Sequence, residues 1–137
     1  MDLFVYGTLM IPSVMYAVTG RKFRFVNAIL TGYARYTVKG ESYPGIVQAT
    51  DAVTEGIIYL DVDELSIKKL DEFEGDLYQR TPIPAKTGKG EIYDAETYVI
   101  KTGYQGCLTS KQWHLNEFYR NHLASFLKTY PGFQKKL

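Results

Sequence analysis

Residues 23–61 read FRFVNAILTGYARYTVKGESYPGIVQATDAVTEGIIYLD. They hold Phe, Val, Ile, Tyr and Thr at strand-forming density, with no helical segment to separate one strand from the next. Residues 23–39 read as two strands divided by a turn or bulge at Gly32. Residues 45–49 and 53–61 read as two more, with Thr50-Asp51 as the turn between them. Strands that follow one another directly build antiparallel or mixed sheets, whereas alternation with helices builds parallel ones. The stretch therefore predicts an α+β domain whose sheet curls strongly or closes into a small mixed β-barrel with flanking helices.

Toward the N-terminus, residues 2–6 form a short, apolar, β-prone run that Gly7 ends. Pro12 suits the first turn of a helix reaching about residue 18, closed by Gly20. Beyond the opening stretch, residues 63–73 have helical spacing, with Asp63 as N-cap and Gly75 as the stop. Residues 81–85 and 91–101 read as strands flanking Thr87-Gly88-Lys89-Gly90. A final helix starting near Ser110 carries Leu115, Phe118, Tyr119, His122 and Phe126 on one stripe. On that reading Trp113 and Tyr119 are packing anchors and His122 is a core residue. No repeat, low-complexity tract or linker divides the chain, so residues 1–137 are read as one domain.

Charge and composition close several routes. The 16 Lys+Arg against 15 Asp+Glu leave a net charge of +1, which gives no footprint for nucleic acid or an anionic membrane. The single cysteine, Cys107, cannot form an intramolecular disulfide or a Cys-rich zinc site. His114 and His122 are too few for a multi-histidine metal centre, so no such metal site is expected. Apolar runs fall far short of the roughly 20 residues that cross a bilayer. No basic segment followed by an apolar stretch opens the chain, which predicts no secretory signal and a soluble, cytoplasmic domain. The 12 tyrosines leave two readings, a wet amphipathic cleft or β-rich packing.

Two segments could carry chemistry. In Phe4-Val5-Tyr6-Gly7-Thr8-Leu9 a strand runs into Gly-Thr and then a short helix. Successive backbone N–H groups at such a junction can form a nest for a carboxylate or an oxyanion. Gly7 would allow the close approach and any positive φ. The same dipeptide also serves as an ordinary turn with Thr8 as a cap. The second segment is Leu70-Asp71-Glu72-Phe73-Glu74-Gly75-Asp76-Leu77-Tyr78-Gln79-Arg80. Ile67, Leu70 and Phe73 define its apolar face. From the middle of that face Glu74 lies about 40° away, Asp71 about 100° and Glu72 about 160°. Glu74 is thus the carboxylate aimed at the apolar side. It either acts there with a raised pKa or sits at a frayed helix end, reaching solvent or pairing with Arg80. Tyr43-Pro44-Gly45 reads as a turn into the next strand, its tyrosine a candidate to line a cleft. Cys107 lacks a histidine nearby in sequence.

Together these segments resemble the γ-glutamylcyclotransferase-like superfamily, and within it the branch of γ-glutamylamine cyclotransferase and the plant avirulence-induced-gene-like proteins. The resemblance rests on Phe4 to Leu9 and on Leu70 to Gly75 followed by Leu77-Tyr78-Gln79-Arg80-Thr81. Tyr43-Pro44-Gly45-Ile46-Val47 and Asp94-Ala95-Glu96-Thr97-Tyr98-Val99 add weaker matches in the same order. It implies a small mixed barrel with flanking helices. It also implies a substrate-binding loop at Tyr6, Gly7, Thr8 and Leu9, a catalytic glutamate at Glu74, and no cofactor. Other branches carry Ser or Ser-Asn in the first loop, so Gly7-Thr8 tilts the implied substrate toward γ-glutamyl amines.

The implied reaction is attack of the substrate's own α-amine on its γ-carbonyl, which closes 5-oxoproline and expels an amine. Glu74 would move the protons. Tyr6 and Tyr43 would shape the pocket. The expected partner is a small γ-glutamyl molecule, bound by a monomer or weak homodimer. Two other readings stay open: a non-catalytic small-molecule binding domain on the same fold, and a Cys107-dependent hydrolase.

Overall fold

The computed structural model describes residues 1–129, so residues 130–137 of the expected single domain lie outside the described ones. Strand β1 (Leu3–Val5) leads through a 3-10 turn (Thr8–Met10) into helix α1 (Pro12–Thr19). Two long strands follow, β2 (Phe25–Val38) and β3 (Pro44–Tyr59). Helix α2 (Glu64–Glu74) then passes through a 3-10 turn (Gly75–Leu77) into β4 (Tyr78–Thr87) and β5 (Ile92–Ile100). The chain continues through β6 (Leu108–Gln112), α3 (Leu115–Asn121) and α4 (Leu123–Thr129).

The sheet closes. β1 pairs antiparallel with β3 and parallel with β5, β5 pairs with β4, β4 with β2, and β2 with β3. The result is a five-stranded mixed barrel, and β6 adds to the far end of β2. Along β1 successive side chains face opposite ways. Phe4 and Tyr6 fill the barrel interior beside Ala28, Leu30, Ile46, Ile58, Ile83, Ala85 and Ala95. Three alanines leave room for the two rings, a large-and-small alternation typical of narrow barrels. Leu3 and Val5 face outward, where Val14, Met15, Val18, Ile67 and Leu70 cover them.

Several elements differ from the expectation. The two strands read in residues 23–39 are one strand, bulged between Thr31 and Tyr33. Residues 45–49 and 53–61 are likewise one strand. Thr50-Asp51 is no turn but an excursion within it, with Asp51 at φ 66°. The two irregularities face each other, since Tyr33 pairs with Gln48 and Thr31 with Val53. Such paired bulges bend a long hairpin and let it wrap around a barrel. The last helix does not begin near Ser110, because that segment pairs with β2 as β6. Nor is it continuous, for it breaks at His122 (φ −129°). Residues 118 and 126 would diverge by about 80° on a straight helix. The break brings both rings into the outer cluster, edge to face at 5.4 Å. Tyr119 and His122 are left exposed, correcting their assignment to the core, while Trp113 is buried as expected.

Helix α2 formed for the reasons legible in its sequence. The Asp63 carboxylate caps it by accepting from the Ser66 N–H at 3.1 Å, and Gly75 ends it at φ 76°. Leu70, wholly inaccessible to solvent, anchors it to the barrel. Leu70→Ala should cost about 2–5 kcal/mol, read as a lower urea midpoint with an unchanged m-value.

Candidate active site

A cavity of about 550 Å³, its mouth included, opens at the end of β1. Tyr6, Gly7, Thr8 and Leu9 form one side, Tyr43 and Pro44 another, and Glu74 closes it from the end of α2. All six residues singled out as site candidates therefore meet in one pocket. Cys107 is not among its lining residues.

The loop after β1 is held from several directions. The Tyr6 carbonyl accepts from Arg35 Nη1 at 2.7 Å, and the Leu9 carbonyl accepts from the Tyr59 hydroxyl at 2.7 Å. The Gly7 and Thr8 carbonyls accept from the Met10 and Ile11 N–H groups at 3.0 and 3.1 Å. Thr8 makes no side-chain cap. The N–H groups of Gly7, Thr8 and Leu9 donate to no other described residue, although all three residues are buried. Buried backbone donors are almost always paired, so three consecutive ones beside a cavity form a donor set for an anion. Gly7 serves by close approach and not by positive φ, since its φ is −126°. A Cβ there would stand 2.8 Å from Pro44 Cγ.

Three of the phenols around the cavity are already committed. Tyr6 donates to the Tyr98 carbonyl, Tyr78 to the Pro44 carbonyl at 2.7 Å, and Tyr98 to Asp71 Oδ1 at 2.7 Å. Burial, and then the charge of Glu74, raises the Tyr6 pKa well above that of a free phenol.

Glu74 is not paired with Arg80. That guanidinium binds both oxygens of Asp71, at 3.0 and 3.2 Å, and also Glu96. No hydrogen bond to Glu74 is made among the described residues, and its side is half-buried. Loss of solvent, reinforced by the negative charge of Asp71, pushes its pKa up to about 8. A carboxyl so placed can take and return a proton near neutral pH.

A family model described as "Gamma-glutamyl cyclotransferase, AIG2-like" matches residues 3–115. The chain belongs to this family. AIG2-like protein C of Arabidopsis thaliana is 32% identical over 127 residues, covering 92% of this chain and 73% of that one. Another Arabidopsis protein, solved in solution, has a TM-score of 0.73 at 26% identity over 98% of this chain and 90% of that chain. A solved γ-glutamyl cyclotransferase has a TM-score of 0.65 at 15% identity over 73% of this chain and 66% of that chain, a likeness of fold.

Within this AIG2-like chain, the sequence reading missed part of the lining. Phe73, Leu77 and Phe126 make an apolar lip, with Phe73 and Phe126 edge to face at 6.2 Å. Phe126 lies on α4, beyond the residues the family model matches. Its place on an apolar stripe signalled burial but not burial beside Glu74. The Asp71–Arg80–Tyr98 cluster was missed as well, since Arg80 meets Tyr98 only through pairing of β4 with β5 and Asp71 reaches both from α2.

The raised pKa of Glu74 has a cost in stability. Below about pH 4.5 the carboxyl is protonated in both folded and unfolded chains and costs nothing. Between about 4.5 and 8 the unfolded chain ionises while the folded one retains its proton, so stability falls as pH rises. The slope is at most about 1.4 kcal/mol per unit. Glu74→Gln should therefore melt above the wild type at pH 8, with the gap closing toward pH 4.5 in thermal scans.

Proposed function

We propose that this chain is a γ-glutamyl cyclotransferase acting on γ-glutamyl amines, releasing the amine and 5-oxoproline. The observation that carries the reading is the meeting of two features in one cavity. Three backbone N–H groups without an acceptor among the described residues stand beside a carboxyl poised near neutral pH.

The α-carboxylate of the substrate is the anion those N–H groups suit. It is permanently charged, no Lys or Arg lines the cavity among the described residues, and Tyr6, Tyr78 and Tyr98 already donate elsewhere. Holding it folds the glutamyl chain so that its α-nitrogen approaches the γ-carbonyl. Intramolecular attack of this kind gains most of its rate from such positioning. Glu74 as carboxylate takes a proton from the α-ammonium and frees the lone pair. The nitrogen attacks, the ring closes, and the bond to the leaving nitrogen breaks. Over the cycle two protons pass from the α-nitrogen to the departing amine, Glu74 carrying each in turn. No covalent enzyme intermediate is needed. Acid–base assistance of this type is worth about 10²–10⁴ in rate. A cytoplasmic monomer or weak homodimer working on a small molecule belongs to the same proposal.

The test is 5-oxoproline release from a panel of γ-glutamyl amines, γ-glutamyl dipeptides and glutathione. Amines with apolar leaving groups should turn over fastest. Leaving groups that bear a carboxylate should be poor, because that charge would be desolvated near Glu74 without a partner. Glu74→Gln should keep the fold and much of the affinity but lose most turnover. Glu72→Gln, on an exposed position, should stay close to wild type. For the wild type kcat/KM should rise with pH on a limb near 8, far above an ordinary glutamate, and the limb should vanish in Glu74→Gln. No release from any member of the panel would put the non-catalytic binding reading in its place.

A further inference from the structure

Arg35 on β2 does not line the cavity, yet it grips the peptide from which the cavity's donor set begins. Its Nη1 donates to the Tyr6 carbonyl at 2.7 Å and to the Glu55 carbonyl at 3.1 Å. Its guanidinium lies over Trp113, 5.3 Å from the ring centroid. Trp113 in turn donates from Nε1 to the Ser42 carbonyl at 2.7 Å, just before Tyr43 and Pro44. One cation thus connects both walls of the pocket, the Tyr6-Gly7 loop and the segment against which Gly7 packs.

The geometry of a single peptide gives this contact its consequence. The Tyr6-Gly7 bond is trans, as are all described peptide bonds. In a planar trans peptide the C=O and the N–H point in opposite directions. Turning the Tyr6 carbonyl toward Arg35 therefore turns the Gly7 N–H away from it, and that N–H has no acceptor among the described residues. A charged donor on the carbonyl also draws electron density through the amide, which makes the N–H a stronger donor. Lysine could not do the same, being a point charge that neither spans two carbonyls in a fixed plane nor stacks flat on an indole.

We propose that Arg35 is a positioning residue, fixing and polarising the Tyr6-Gly7 peptide so that the Gly7 N–H meets the substrate's α-carboxylate. The inference rests on the reading of the Gly7–Leu9 amides as the carboxylate site. It assigns Arg35 no contact with substrate. Its effect is confined to how well the loop distinguishes a carboxylate from its absence.

That ratio is the measurement. 5-Oxoproline and 2-pyrrolidinone are the same ring with and without the carboxylate, and each can be titrated into the full chain by NMR or tested as an inhibitor. The wild type should prefer 5-oxoproline. Arg35→Met and Arg35→Lys should lower the preference about ten- to hundredfold, the scale of one charge-assisted hydrogen bond. The Tyr6 carbonyl ¹³C resonance should move upfield in both. With a γ-glutamyl amine, kcat/KM should fall by a similar factor, mostly through KM. Variants that lose affinity for both rings by the same factor, and so keep the wild-type ratio, would reduce Arg35 to a structural strut and overturn the proposal. Should Arg35→Met melt below the assay temperature, the ratio in Arg35→Lys decides. A wild type that shows the preference but releases no 5-oxoproline overturns the cyclisation reading and leaves Arg35's role standing. A wild type without the preference overturns the carboxylate site, and this inference falls with it.

Discussion

Tyr6 is tied at both ends, and the architecture of the site depends on that constraint. Its ring is buried inside the barrel, where the hydroxyl donates to the Tyr98 carbonyl on β5. Its own carbonyl accepts from Arg35 on β2. The last turn of the chain before the pocket is therefore pinned to two strands on opposite sides of β1. Gly7 can then lie against Pro44 without a side chain to prevent it. Tyr98 carries the constraint further, because its hydroxyl reaches Asp71 on α2, one turn before Glu74. A residue in the first strand and a carboxyl at the end of the second helix are thus placed relative to one another by a short chain of hydrogen bonds.

Charge is distributed so that one carboxyl is left over. The Arg80 guanidinium is taken by Asp71 and Glu96, and Glu74 makes no ion pair with it. Glu74 receives the repulsion of Asp71 without the compensation of the cation. A fold selected only for stability would pair Glu74 or replace it with an amide. Its lack of a partner among the described residues is the kind of local destabilisation found at sites where a proton moves. The same arrangement explains why helical spacing picked Glu74 out from its neighbours. Asp71 and Glu72 point away from the apolar face, and the exposed Glu72 has no part in the cavity lining.

What the sequence made legible was local. The cap at Asp63, the stop at Gly75 and the apolar run of β1 each depend on a few adjacent residues, and each formed as read. Chemistry read from single motifs also came together, because Gly7-Thr8 and Glu74 announce themselves by residue type. Long strands were harder. Gly32 reads as a turn or a bulge and Thr50-Asp51 as a turn, and only their pairing across the β2–β3 hairpin shows bends within continuous strands. The break at His122 has no Gly or Pro to mark it and follows from the packing of Phe118 and Phe126. Arg35 could not be found at all from its neighbours. Its importance comes from Tyr6, 29 residues away, and from Trp113 at the other end of the chain.

The cavity also draws on separate parts of the chain. Its donor loop, Glu74 and the committed tyrosines all fall within residues 3–115, the extent of the family match. Phe126, in its apolar lip, lies outside that extent on a short helix reached through the break at His122. The parts assigned to proton transfer and carboxylate binding are held by barrel strands and by helix α2, which Leu70 anchors to the barrel. The apolar lip is shared, with Phe73 and Leu77 coming from α2 and the turn after it and Phe126 from α4, joined through a kink. Changes in α4 could alter the lip without disturbing the hydrogen bonds around Tyr6 and Tyr98. On the proposed reading, the reaction is written into the barrel and α2, while α4 adds Phe126 to the lip beside Glu74.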